Sequence, residues 1–138
     1  MGWDNFHLFR FTMGGMAFGP SEEETAPSDS PPLRALLRRV GAKAIYEYDF
    51  GDGWRHEIVV EKTVSREAGK VYPVCITGKG CCPPEDCGGP YGYFNLLRAV
   101  SDPAHPEHED AVQWLGEEFD PKEFPMDGVN RRLALLEG

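Results

Sequence analysis

The sequence predicts an α+β fold, because extended segments gather in its first 78 residues and helical segments in the remainder. Two glycine-turned hairpin patterns mark the first part, around Gly14-Gly15 and around Gly51-Asp52-Gly53. Amphipathic segments beyond residue 90 mark the second. The 138 residues fit one domain, 1–138. A chain of this length buries roughly two-thirds of its unfolded surface, so it can form a core without staples.

Residues 5–19 read as two short strands joined at Gly14-Gly15. His7, Phe9, Phe11 and Met13 share one face and Phe6, Leu8 and Arg10 the other. Both faces are largely apolar, which predicts a strand with neighbours on either side, and only downstream sequence can supply them. Residues 20–32 hold four prolines and the acids Glu22, Glu23, Glu24 and Asp29 with no large apolar residue, the composition of a mobile acidic loop. Ser30 followed by Pro31-Pro32 reads as a helix N-cap. The helix puts Leu33, Leu36, Leu37 and Val40 on one face and ends at Gly41. Arg34, Arg38 and Arg39 near its C-terminus complement the helix dipole.

Ala44, Tyr46 and Tyr48 alternate with Ile45, Glu47 and Asp49, and Trp54, His56, Ile58 and Val60 share a face on the following strand, a second hairpin. Residues 71–77, VYPVCIT, read as one more strand, and residues 78–90 as turn throughout. Tyr93, Leu96, Leu97 and Val100 then recur at helical spacing until Asp102-Pro103. A further helix turns Ala111, Trp114 and Leu115 inward, and residues 129–138 close the chain as a short helix.

Composition excludes several functions. Fourteen Lys and Arg against 23 Asp and Glu give a net charge of −9, and no basic run offers the concentrated positive surface that a phosphate backbone requires. Direct nucleic-acid binding by this chain is therefore not expected. No apolar run reaches the roughly 18–20 residues that span a bilayer, and the start lacks the basic and apolar regions of a secretory signal. A cytoplasmic protein is expected. No phosphate-binding glycine loop and no Gly-x-Ser-x-Gly elbow are present.

Four cysteines, Cys75, Cys81, Cys82 and Cys87, lie within 13 positions. Without an export signal, such a cluster points to metal ligands, packing residues or redox groups before disulfides. A structural Zn2+ held by Cys75, Cys82 and Cys87, with His56 as the fourth donor, suits a strand end beside a Gly/Pro-rich loop. The spacing lacks the paired C-x2-C signature, and small buried hydrophobes or free thiols are the plain alternative.

Asp49, Asp52 and His56 flank the second hairpin turn and combine two carboxylates with an imidazole, a set able to hold a divalent ion or do acid–base work. Asp and Gly are also what a tight turn selects for backbone reasons, and turn structure is the default. His105 and His108 stand among acids at a helix start, where dipole complementarity is the simpler reading.

The segments YEYDFGDGWRHEIVVEK (46–62), CCPPEDCGGPYGYFNLL (81–97), DPAHPEHEDAVQWLGEEFDPKEF (102–124) and VNRRL (129–133), with the opening MGWDNFHLFRF, together resemble the plasmid Orf3-like family. That family takes its name from an open reading frame of a root-inducing plasmid, and its members also occur as insertion-sequence passenger proteins. The resemblance implies a curved antiparallel sheet of two hairpins plus a strand, with C-terminal helices packed on it. It assigns no catalytic role to any residue. Members typically have strands and a helix before the Met-Gly-Trp segment with which this chain begins. An exposed first hairpin, and self-association through it, are therefore expected.

Two functional readings follow. One is a non-enzymatic, acidic protein-interaction module with a basic protein partner. The other is a metal-dependent hydrolase or nuclease accessory using Asp49, Asp52 and His56. An enzyme needs a concave site with an open metal position, and a structural metal a closed one.

Overall fold

A computed structural model describes residues 2–20, 32–116 and 118–136. Ser30 and most of the acidic loop lie outside the described residues. The chain divides into a sheet unit, Asn5–Ser65, and a helical unit made of Met1–Asp4 with Arg66–Gly138. The fold class is α+β, as the sequence predicts.

In the sheet unit the first hairpin forms as expected, with β1 (Phe9–Met13) and β2 (Met16–Phe18) turning at Gly14-Gly15. The second pairs β3 (Lys43–Tyr48) with β4 (Trp54–Val59). β1 also pairs antiparallel with β3, Phe9 opposite Tyr48 and Phe11 opposite Tyr46, so the order is β2-β1-β3-β4. β1 thus has a hydrogen-bonded neighbour on each side, both from downstream, but only one of its faces is covered: Phe6 and Leu8, on the other face, are exposed.

Alternation makes the faces chemically distinct. Phe9, Phe11, Tyr46 and His56 form one aromatic row, with the Phe11 and Tyr46 centroids 4.7 Å apart and those of Tyr46 and His56 5.4 Å apart. Ala44 and Tyr48 on the same face are almost wholly buried, and burial pushes the Tyr46 phenol above its ordinary pKa. On the opposite face Arg10 pairs with Glu47 at 3.0 Å and Lys43 with Glu57 at 3.3 Å.

Two expectations are corrected here. The first helix is a single turn, α1 (Leu33–Leu36), and does not continue to Val40. Beyond it Ala42 donates to Arg39 O in a turn, and Gly41 donates to Val60 O across the hairpin. The Gly41 N–H, which a longer helix would turn back on itself, is thus spent extending the β3–β4 pairing. Val40 is left 63 % exposed.

The strand expected over residues 71–77 is also absent, and among the described residues the sheet has four strands. Pro73 has no N–H to offer a ladder. Both backbone groups of Cys75 are taken by one side chain: its N–H donates to Asn130 Oδ1 at 2.7 Å, and its carbonyl accepts from Asn130 Nδ2 at 3.0 Å. Val71, Val74 and Ile76 are exposed, so no apolar face is left for a sheet to bury.

The helical unit contains α2 (Gly89–Ser101), α3 (His108–Leu115) and α4 (Met126–Ala134). Charges follow the dipoles, with Glu109 and Asp110 in the first turn of α3, and in α4 Asp127 in the first turn and Arg131 and Arg132 in the last. No described helix is long and apolar enough to cross a membrane.

Candidate functional site

The helical unit is organised around the loop that carries three of the cysteines. Gly88 enters α2 with φ 84, a conformation that favours glycine, and Pro90 occupies its first turn. Gly92 then lets the loop fold back onto the helix: a Cβ there would stand 2.0 Å from the Cys87 carbonyl oxygen. The N-terminal segment fastens the loop from another direction. Trp3 donates its indole N–H to Pro83 O at 2.8 Å, and the Asp4 N–H donates to Glu85 Oε1 at 2.9 Å. Cys81 N–H donates to Pro121 O at 3.1 Å.

Each predicted sulfur ligand sits near a carbonyl of its own stretch. Cys75 Sγ lies 3.2 Å from Thr77 O, Cys82 Sγ 3.5 Å from Pro83 O and Cys87 Sγ 4.0 Å from Gly89 O. All four cysteines are free thiols. Among the described residues these sulfurs join no group of three donors lying within 4.8 Å of one another, the convergence a closed zinc site needs.

Cys81, Cys82 and Cys87 lie close enough to Tyr93 to raise its pKa, after the larger effect of burial. Burial, then Cys82 and the Glu123 carboxylate, likewise push the Cys81 thiol up. A thiol so held is protonated at neutral pH, and hence a weak nucleophile.

His56 belongs to the sheet unit, on β4, with Nδ1 3.1 Å from Tyr46 O. Asp49 is buried just past β3 at φ 56, and its Oδ1 accepts from the N–H groups of Gly51 at 3.0 Å and Asp52 at 3.3 Å. It thus ties the hairpin turn together, which is the backbone reading of that motif. The carboxylates of Asp49 and Asp52 and the ring of His56 do not share one set of donors within 4.8 Å.

The two histidines outside the hairpin motifs have structural work that spacing did not disclose. His105 Nδ1 accepts from Glu107 N at 3.2 Å at the start of α3. His108 Nδ1 lies 2.9 Å from Ala99 O, and since a carbonyl can only accept, the ring donates there. This latch holds the first turn of α3 to the end of α2.

Between these helices opens a groove of about 440 Å3. Leu96 and the buried Ala99 and Ala111 give it an apolar lining, and Asp86, Glu107 and Asp110 give it three carboxylates. No Lys or Arg lines it, and among the described residues neither Glu107 nor Asp110 has an ion-pair partner. Trp114 also lines it. Helical periodicity places this residue inward, whereas it is 52 % exposed. The alanines facing it are too small to close the space an indole would need covered. Asp86, Glu107, Asp110 and Trp114 were legible in the sequence only as acids and an apolar helix position; their convergence needs the helix pairing.

Residues 1–128 match the family described as plasmid pRiA4b ORF-3-like protein. Over 121 residues the chain is 42 % identical to the uncharacterised protein y4hQ of Sinorhizobium fredii, a match that covers 84 % of this chain and 62 % of that protein. The chain thus spans a little under two-thirds of that curated relative. It is also similar to MM3350 of Methanosarcina mazei Go1, a protein of unknown function. That crystal structure superposes with a TM-score of 0.82 at 36 % identity, covering 93 % of this chain and 75 % of that one.

Proposed function

We propose, for a chain that belongs to the plasmid pRiA4b ORF-3-like family, that it works by protein contact, the α2–α3 groove receiving a basic segment of a partner protein. The observation that carries this reading is the pair Glu107 and Asp110 beside an apolar lining, with no Lys or Arg among the residues that form it. The Glu107 and Asp110 carboxylates repel one another across the groove, and an arriving Lys or Arg relieves that repulsion. The lining suits the methylene stem of such a side chain or an apolar neighbour, and the half-exposed Trp114 offers its ring to a cation. The occupant is an Arg/Lys-rich segment with an interspersed apolar residue. Segments of this kind abound in proteins that bind nucleic acids, a fitting partner class for a family named after a plasmid reading frame.

Titration of the full chain with a fluorescent peptide alternating Arg and Leu tests the reading. Binding is expected to weaken steeply with salt, and Glu107→Gln combined with Asp110→Asn is expected to weaken it at least about tenfold in a chain that circular dichroism shows still folded. Equal affinity of the native and doubly substituted proteins would rule the groove out.

A further inference from the structure

The sheet has two edges, and they differ. β2 offers three residues and β4 six. Val60, just past β4, donates to Ala42 O and accepts from Gly41. By the alternation of an antiparallel pair, the even-numbered residues of β4 then direct their backbone groups to β3, and Arg55, Glu57 and Val59 direct theirs outward. Among the described residues those outward groups have no backbone partner. All three residues are exposed, and Arg55 has no ion-pair partner among the described residues. An open edge of this length is a template for another strand.

We infer that the occupant is a second copy of this chain, paired β4 to β4 about a two-fold axis through His56. The order of side chains along the strand selects that partner and that register. With His56 opposite its own symmetry mate, Arg55 stands opposite Glu57 of the second copy and Glu57 opposite its Arg55, two opposite-charge pairs on one face. On the other face Trp54 meets Ile58 twice, an aromatic residue against a β-branched one. The neighbouring symmetric registers fail. An axis through Arg55 sets arginine against arginine, and an axis through Glu57 sets glutamate against glutamate, each directly opposite. The same charges that keep a random strand off the edge therefore admit an identical one. The interface is isologous and closes at two copies, the two sheets joining into one.

Sedimentation equilibrium of the full chain, with circular dichroism as a control for folding, decides the matter. The native chain is expected to be dimeric at micromolar concentration. Arg55→Glu and Glu57→Arg, each of which creates two like-charge pairs, are each expected to weaken the dimer at least about tenfold. The double exchange, Arg55→Glu with Glu57→Arg, restores both pairs and is expected to return the dimer to within about threefold of the native constant. A native chain that stays monomeric at 100-fold higher concentration overturns the proposal. So does a set of three variants that all dimerise like the native chain, because the contact then lies elsewhere. A double exchange as weak as the single changes overturns the register.

Discussion

The sheet unit and the helical unit handle charge in opposite ways. The sheet unit carries 7 basic and 9 acidic residues, and the helical unit 7 and 14. In the sheet unit, cross-strand neighbours neutralise one another, as Arg10 does Glu47 and Lys43 does Glu57. Residues facing each other across a pleat are held within reach whatever else happens, so unmatched charges there would weaken the sheet itself. In the helical unit Glu107 and Asp110 have no ion-pair partner among the described residues, and order comes instead from side chains gripping backbone: Trp3 on Pro83, Asn130 on Cys75, His108 on Ala99. The difference teaches that a unit fastened through its backbone can leave surface charge to a partner, whereas a sheet settles charge between paired strands and, among the described residues, leaves it over only at its edge, at Arg55.

The sharpest break of this comparison is Gly92→Ala, whose methyl would collide with the Cys87 carbonyl at the point where the loop meets α2. A backbone atom cannot step aside as a side chain can, so a loss of about 3 kcal/mol is expected in urea unfolding. Asn130→Ala comes next. It removes both hydrogen bonds to Cys75, and a loss of about 1–3 kcal/mol is expected by the same measurement. A cost near zero would show that the backbone clamps are ornamental and that the helical unit is held by packing. The smallest effect is expected in the sheet unit, where Arg10 is about half exposed. A double-mutant cycle over Arg10→Ala and Glu47→Ala should give a coupling of about 0.2–1 kcal/mol that fades with added salt. A larger value would mean that the pair does more than neutralise.

Much of the sheet unit was legible in the sequence because its signals are local. Gly14-Gly15 and Gly51-Asp52-Gly53 specify turns by their own backbone freedom, and the alternation of Ala44, Tyr46 and Tyr48 fixes which face is buried. The helical unit was legible in its elements but not in its fastening. Periodicity found α2, α3 and α4, yet Trp3 contacts a residue 80 positions away and Asn130 one 55 positions away. No local pattern marks a side chain that binds a distant carbonyl. The expected strand at 71–77 failed for the same reason, since the Asn130 amide captured backbone groups that a ladder would have used. Residue type and nearness in sequence point to Cys75, Cys82, Cys87 and His56 as metal donors. Their positions follow from turns and a strand face, which type does not encode.

By itself the sequence determined the two hairpins, the face of β3 that is buried, the α+β class and the surplus of acid. Each depends on residues a few positions apart, where backbone sterics and side-chain periodicity act directly. Tertiary structure alone decided that β1 lies between β2 and β3, that the first helix stops after one turn, and that Glu107 and Asp110 share a groove with Asp86. Those outcomes turn on which backbone donors and acceptors find partners across long stretches of chain, and that competition is resolved only when the whole unit folds.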